Sequence, residues 1–300
     1  MIKTAVFSYG NVGKAAVEAC LNAADIELVG IVDPFLAGQK ANAINGAGAF
    51  TVAADMDALP DFEAAVIGAS SRAVPDLAEA LLKKGKYTAD SYDIHTNILE
   101  LRARLDAAAK EGGVASVTAA GWDPGTDSVI RALFAAMAPR GITYTNFGPG
   151  MSMGHSVAAK AVDGVRDALS MTIPLGTSIH RRMVYVELEE GCSLEEAAAK
   201  IKADDYFAHD ETHVEQVPCV RDILDVGHGV SIVRKGAAGA SHNQLLEYNM
   251  RINGPALTGQ ILVCALRAAV RQRPGCYTFI EIPPVDLLPG SREEAVRSLV

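Results

Sequence analysis

The sequence predicts an α/β protein in two parts: a parallel sheet covered by helices, then a second α+β domain on a mixed or antiparallel sheet. Three observations carry this. Up to Gly121, short apolar runs alternate with helix-length stretches, as in strands that pair in parallel through helical crossovers. A glycine-bearing turn follows the first of these runs. Beyond Gly125 the runs lengthen and alternate polar with apolar residues, as strands with one solvated face do.

Taken in order, Thr4 to Ser8, Glu27 to Val32, Ala64 to Gly68, Tyr87 to Asp90 and Val114 to Thr118 read as the strands of the first part. Val12 to Ala24, Val74 to Lys84 and Ile98 to Lys110 read as its helices. Gly85 follows the second helix and Gly112-Gly113 the third, where glycine makes a left-handed cap without a steric cost. In the second part the strands are Ile142 to Phe147, Ala168 to Ile173, His180 to Leu188, Val230 to Lys235 and Leu245 to Ile252. A last helix, Pro255 to Arg271, and an extended piece, Tyr277 to Pro283, are expected to return to the first part. The domains expected are 1–121 and 122–253, with 254–300 as the returning segment.

A chain of 300 residues, 49% hydrophobic and 21% charged, has the make-up of a globular enzyme or binding protein and is long enough for two domains. Its 36 acidic residues against 27 basic ones give a net charge of −9, which repels the phosphates of nucleic acid and favours a small-molecule partner. Arg267 interrupts the most apolar late segment, Ile261 to Val270, so no membrane span is expected. The N-terminus lacks the apolar core of a secretory signal, and a cytoplasmic location is expected. Cys20, Cys192, Cys219, Cys264 and Cys276 are scattered and show no C-x-x-C spacing. They read as buried thiols, with no metal site expected.

The first strand runs into Ser8-Tyr9-Gly10-Asn11-Val12-Gly13 and then a helix, the order of a Rossmann-type dinucleotide site. Gly10 would let the backbone approach a pyrophosphate, Gly13 would allow close helix-to-strand packing, and the helix N-terminus favours negative charge. Ser8 stands where the G-x-G-x-x-G pattern has its first glycine. Asp33 ends the second strand, where an acid binds the adenosine ribose hydroxyls. Tyr9, Gly10, Asn11, Val12, Gly13 and Asp33, with Ser70 and Arg72 beyond the third strand, form the candidate cofactor set. A carboxylate at 33 accepts from a 2′-hydroxyl and repels a 2′-phosphate, which favours NAD; Arg72 and Lys40 are cations that could still reach such a phosphate. The alternative is local: a tight turn at Gly10 and a helix N-cap or turn aspartate at Asp33, before Pro34.

Asp90-Ser91-Tyr92-Asp93 and Gly121-Trp122-Asp123-Pro124-Gly125 each follow a strand of the first part, at the edge where open α/β sheets bind ligands. A carboxylate there can hold a substrate ammonium group. Asp90 and Asp93 equally suit helix caps, and Asp123-Pro124-Gly125 an ordinary turn. Alternation puts Arg182 on the face of Val184, Val186 and Leu188, where it would clamp a substrate carboxylate or pair with an internal acid. His228, between Gly227 and Gly229, and Asn253, closing a strand, serve either a substrate or a turn.

Together these segments resemble the meso-diaminopimelate dehydrogenase family through nearly the whole chain. The resemblance rests on Tyr9-Gly10-Asn11-Val12-Gly13, Asp90-Ser91-Tyr92-Asp93, Gly121-Trp122-Asp123-Pro124-Gly125, Phe147-Gly148-Pro149-Gly150-Met151-Ser152-Met153-Gly154-His155-Ser156 and Gly227-His228-Gly229. It implies reversible NADP-linked oxidative deamination of the D-centre of meso-2,6-diaminoheptanedioate to L-2-amino-6-oxoheptanedioate and ammonia, in lysine and cell-wall precursor formation. It also implies a homodimer whose second domain binds substrate and dimerises. By motif, substrate contacts fall on Asp93, Trp122, Asp123, Phe147, Met153, Gly154, Thr172, Arg182, His228 and Asn253, with Asp93 and Asp123 as candidate catalytic groups. One departure bears on the cofactor: the family's arginine pair after the second strand is replaced by Asp33-Pro34. NADP is thus the cofactor the resemblance implies, and NAD the one Asp33 favours.

Two other readings stay open at this level. One is a dehydrogenase of the same plan acting on another small amino acid or semialdehyde. The other is a nucleotide-sensing binding protein without catalysis, against which the clustered polar residues of the second half argue.

Overall fold

The computed structural model describes residues 1–41, 47–224 and 227–300. In chain order its elements are β1 (Ile2–Phe7), α1 (Asn11–Asn22), β2 (Ile26–Val32), β3 (Ala64–Ile67), α2 (Val74–Lys83), β4 (Tyr87–Asp90), α3 (Ile98–Gly112), β5 (Ala115–Thr118) and α4 (Thr126–Met137). There follow β6 (Arg140–Phe147), β7 (Gly150–Met151), α5 (Met153–Lys160), β8 (Val165–Gly176), β9 (Ile179–Leu188), α6 (Leu194–Ala203) and β10 (Glu211–Gln216). Last come β11 (Gly227–Ala238), β12 (Ser241–Asn253), α7 (Gly254–Val270), β13 (Gly275–Thr278) and α8 (Arg292–Leu299).

The chain divides into two compact units, Met1–Ile130 with Pro255–Val300, and Arg131–Gly254. The first holds a six-stranded sheet in the order β13-β5-β4-β3-β1-β2, every pair of neighbours parallel. Side chains alternate across it. Val6, Ile31 and Val66 pack with Val17 of α1 and Leu262 and Leu266 of α7, while Ala5, Phe7 and Ile67 pack with Leu81 and Leu82 of α2 and Leu105 of α3. Burial on both faces is why these strands read as continuous apolar runs. Sheet growth reverses at β1, which has β2 on one side and β3 on the other; such a reversal opens a crevice at the carboxyl ends of the strands.

The C-terminal part brings two differences from the sequence-based reading. Tyr277 to Pro283 was expected to be extended throughout, but the strand is Gly275–Thr278, which becomes the sixth of the sheet beside β5. A 3-10 turn at Phe279–Glu281 ends it, closed by a reciprocal box between Thr278 and Glu281. Arg267, the charge inside the apolar helix, is buried. It forms a bidentate pair with Asp25 and also donates to the Leu287 carbonyl at 2.9 Å.

The second unit contains a mixed sheet, β10-β9-β8-β7, in which only the β10–β9 pair is parallel, and an antiparallel sheet, β12-β11-β6. Val184, Val186 and Leu188 of β9 face Ala197 and Ile201 of α6 and Phe207. Trp122 and Asp123, which the sequence-based boundary placed with the second part, lie in the first unit. Gly121 N–H bonds the Pro124 carbonyl and Thr126 N–H the Gly121 carbonyl, so this turn is closed directly on the end of β5. No helix among the described residues is long and apolar enough to cross a membrane.

Candidate active site

In the first unit the chain leaves β1 through Ser8, whose φ of +76° is the left-handed conformation that glycine supplies at this place in the G-x-G-x-x-G pattern. Gly10 is the N-cap of α1, and no side chain caps the helix, so the amides of its first turn face outward as an anion site. A Cβ on Gly13 would lie 1.9 Å from the Ser8 carbonyl oxygen, so only glycine lets the helix start this close to the turn. Exposed Gly10 and Asn11 above a closely seated helix make a cradle that fits the phosphates of a dinucleotide.

Asp33, at the end of β2, is buried. Its Oδ2 accepts the Tyr9 N–H at 2.8 Å and its Oδ1 the Phe35 N–H at 3.0 Å. The turn role is therefore present, and the carboxylate braces the glycine turn from outside. Each oxygen keeps a second lone pair for a ribose hydroxyl. Lys14 Nζ lies 5.6 Å from the centre of the Tyr9 ring, and Ser70 and Arg72 are exposed on the loop between β3 and α2.

Asp93 is half-buried on the loop after β4. Its Oδ1 accepts from Ser71 Oγ at 2.6 Å, and its own N–H donates to the same hydroxyl at 3.0 Å. Strand pairing sets this up, because register pairs Ile67 with Asp90 and brings the loops after β3 and β4 side by side. Trp122 and Asp123 are half-buried on the next loop, after β5, with a cis bond between Asp123 and Pro124. Neither Asp90 nor Asp93 caps α3, whose N-cap is Asn97; Asp90 instead turns back on its own strand end.

In the second unit, Phe147 to Gly154 is threaded between the two sheets. Gly148 N–H bonds the Gly229 carbonyl at 2.8 Å, and Gly150 pairs with Thr172 of β8. A Cβ on Gly148, at φ +91°, would lie 2.2 Å from the Thr172 carbonyl oxygen, so the threading requires glycine. This gathers the expected side chains. Thr172 is buried opposite Arg182 in the β8–β9 register, and Arg182 donates Nη1 to the Thr172 hydroxyl and Nε to Asp210 Oδ2 at 2.6 Å. The internal acid pair is thus formed. Phe147 N–H donates to His180 Nε2 at 2.8 Å, and the two rings lie 5.3 Å apart. His228 is buried, and its Nδ1 lies 2.7 Å from the Gly229 nitrogen and 2.9 Å from the Gly229 carbonyl oxygen. Asn253 pairs with Gly227 across the same hairpin and is exposed; Met153 and Gly154, half-buried, begin α5.

Sequence reasoning missed Ser71, Asp210, His155 and His180. His155 bonds Ser152 at 2.8 Å and packs edge-on against Tyr206 and Phe207. Burial, and the nearby charges of Arg182 and His228, pull it down to about 3. The same causes, burial first and then Arg182, lower His180. Only its place just beyond β3 could have flagged Ser71, as a hydroxyl at the same sheet edge as Asp93.

Residues 121–180 match the family model described as the diaminopimelic acid dehydrogenase C-terminal domain. The meso-diaminopimelate D-dehydrogenase of Bacteroides fragilis is 53% identical over 299 residues, covering 100% of this chain and 99% of the relative. That of Acetivibrio thermocellus is 31% identical over 327 residues, covering 100% and 98%. Among solved structures, C. glutamicum DAP dehydrogenase in complex with DAP superposes with a TM-score of 0.85 at 25% identity, covering 100% of this chain and 99% of that one. With its Rossmann-type sheet, its glycine turn before α1 and full-length likeness to these enzymes, the chain belongs to the meso-diaminopimelate D-dehydrogenase family of NAD(P)-dependent amino-acid dehydrogenases.

Proposed function

We propose that this enzyme oxidatively deaminates the D-centre of meso-2,6-diaminoheptanedioate, reversibly, to L-2-amino-6-oxoheptanedioate and ammonia. The observation that carries the reading is the fixed placement of Asp93 and of Trp122-Asp123 on adjacent loops at the strand edge that also bears the glycine turn, in a chain that matches the B. fragilis enzyme from end to end. A bound nicotinamide supplies the hydride acceptor. Tyr9 to Gly13 and Asp33 would hold the dinucleotide, with Ser70 and Arg72 on the neighbouring loop.

The chain's own groups divide the remaining work. Asp93 and Asp123 hold the reacting ammonium and accept its protons, and Ser71 fixes the orientation of Asp93. Trp122 and Phe147 exclude bulk water. Arg182, His228 and Asn253 donate to carboxylate, with Thr172, Met153 and Gly154 alongside. A diamino diacid offers an ammonium to the acidic set and a carboxylate to the basic set, whereas a monoamino acid can meet only one of the two sets at a time.

The 2′-position of the cofactor is assigned from Asp33: NAD is used at least as well as NADP. A cytoplasmic homodimer completes the reading. The test is initial-rate reduction of NAD and NADP with meso-, LL- and DD-diaminopimelate, D-alanine and 2,4-diaminopentanoate. Fastest turnover of the meso isomer is expected; equal or faster turnover of another compound overturns the assignment.

A further inference from the structure

Asp90 is fully buried at the end of β4, and its two oxygens have very different surroundings. Oδ1 accepts from Tyr92 N–H at 3.0 Å, from Thr118 Oγ1 at 2.8 Å and from Ala119 N–H at 3.4 Å. Oδ2 is buried with no hydrogen-bond partner among the described residues. The three donors come from two places, the loop after β4 and the exit of β5. Tyr92 N–H precedes Asp93, whereas Thr118 and Ala119 lead from β5 into Gly121-Trp122-Asp123. The Asp90 carbonyl also accepts Ala120 N–H at 2.8 Å, so both ends of the residue grip the β5 exit.

That exit needs a grip. Ala119 has φ +55°, a left-handed conformation that an L-residue adopts only at a cost. It redirects the chain so that Gly121 can close the turn on Pro124. The three bonds to one buried oxygen hold Ala119 there and tie its position to that of Tyr92. A buried acceptor with three donors is a stringent spacer, because losing it leaves all three donors unsatisfied.

We infer that the Asp90 carboxylate is a positioning group that sets the spacing between the Asp93 loop and the Trp122-Asp123 loop. This rests on the reading of Asp93 and Asp123 as the groups that meet the reacting ammonium. What the brace requires of Asp90 is an acceptor at Oδ1, not its charge. Burial pushes the carboxyl up to about 6, and a proton on Oδ2 leaves all three bonds intact. Asparagine is the near-isosteric neutral analogue: it keeps the Oδ1 acceptor and places an NH2 where the acid has its second oxygen.

The test compares Asp90→Asn, Asp90→Ala and Thr118→Val, the last an isosteric change that removes one donor. Asp90→Ala should lower kcat roughly 100-fold, since a misplacement of about 1 Å costs that much, while the dissociation constant for cofactor stays unchanged. Thr118→Val should lower kcat by a smaller factor, about 3- to 10-fold, and Asp90→Asn should stay within about 5-fold of wild type. Amide exchange at residues 91–93 and 119–123 should accelerate in Asp90→Ala and Thr118→Val and not in Asp90→Asn. Unchanged exchange and kcat in Thr118→Val overturn the inference, as does an Asp90→Asn loss equal to that of Asp90→Ala. Exchange needs no substrate, so it judges the brace by itself, and wild-type turnover of meso-diaminopimelate judges the assigned reaction.

Discussion

Arg182 donates Nε to Asp210 Oδ2 at 2.6 Å, and the two side chains are only 11% and 23% exposed. With Nη1 on the Thr172 hydroxyl, the guanidinium is oriented from two directions within the second unit, and its remaining edge is the part available to a carboxylate.

Arg182→Lys keeps the charge but cannot reproduce a planar fork held at two points. We expect kcat/KM for the diamino acid to fall by roughly 100-fold while cofactor affinity stays the same. Asp210→Ala should raise KM by a smaller factor, because it frees the guanidinium without removing it. A folded Arg182→Lys enzyme with wild-type kcat/KM would reduce the residue to an internal ion pair.

Asp33 gives the cofactor prediction two parts. Asp33→Arg exchanges repulsion for attraction at a 2′-phosphate and should move the NADP/NAD ratio of kcat/KM upward. It also removes the acceptor of Tyr9 N–H, so binding of both cofactors should weaken relative to what charge alone would give. Fluorescence titration with NADH and NADPH separates the two effects. A wild-type enzyme with a strong NADP preference would be incompatible with the assigned role of Asp33.

Gly13→Ala places a methyl group 1.9 Å from the Ser8 carbonyl oxygen. The clash is with backbone on a strand exit, which cannot give way without moving β1 or α1. Destabilisation by about 1–3 kcal/mol is expected, read from urea unfolding, together with loss of measurable cofactor binding. Tight binding by this variant would mean that the turn is far more pliable than the packing implies.

His155 makes stability depend on acidity. Its folded value, about 3, lies below the ordinary 6.5, so the unfolded chain binds more protons across that interval. This contribution is complete above 6.5 and is lost as pH falls towards 3. Asp90 acts in the opposite sense: raised to about 6 from 3.8, it contributes most below 3.8, and that contribution is lost as pH rises through 6. His155→Gln should therefore flatten the acid limb of the stability profile, and Asp90→Asn should not. Urea midpoints of both variants along an acid series provide the measurement, and an unflattened limb in His155→Gln would count against the buried neutral ring.

Much of this protein follows from local sequence. The apolar run of β3 and its fully buried side chains are one fact seen twice, since a strand covered on both faces favours apolar residues, and where β5 buries the hydroxyls of Ser116 and Thr118 each has a hydrogen-bond partner, Thr88 and Asp90. The glycine turn is similarly local, because Gly13 follows from the rise of a single strand-to-helix turn. α5, α6 and β10 were not legible: α5 and α6 are short, and β10, Glu211–Gln216, carries charged residues on a strand that reads as loop.

The partners of the site residues are another matter. Asp33 meets Tyr9 across 24 residues, Asp93 meets Ser71 across 22, and Arg182 meets Asp210 across 28. Sequence alone placed Asp33 and Asp93 at strand ends and Arg182 on the apolar face of a strand, because periodicity and turn chemistry act over a few residues. Which acceptor faces which donor was decided only by tertiary structure, through the register of parallel neighbours such as Ile67 with Asp90 and Thr212 with Arg182. Register is a collective property of packed strands: each side chain's face follows from its own alternation, but its opposite number depends on the whole sheet closing in one alignment.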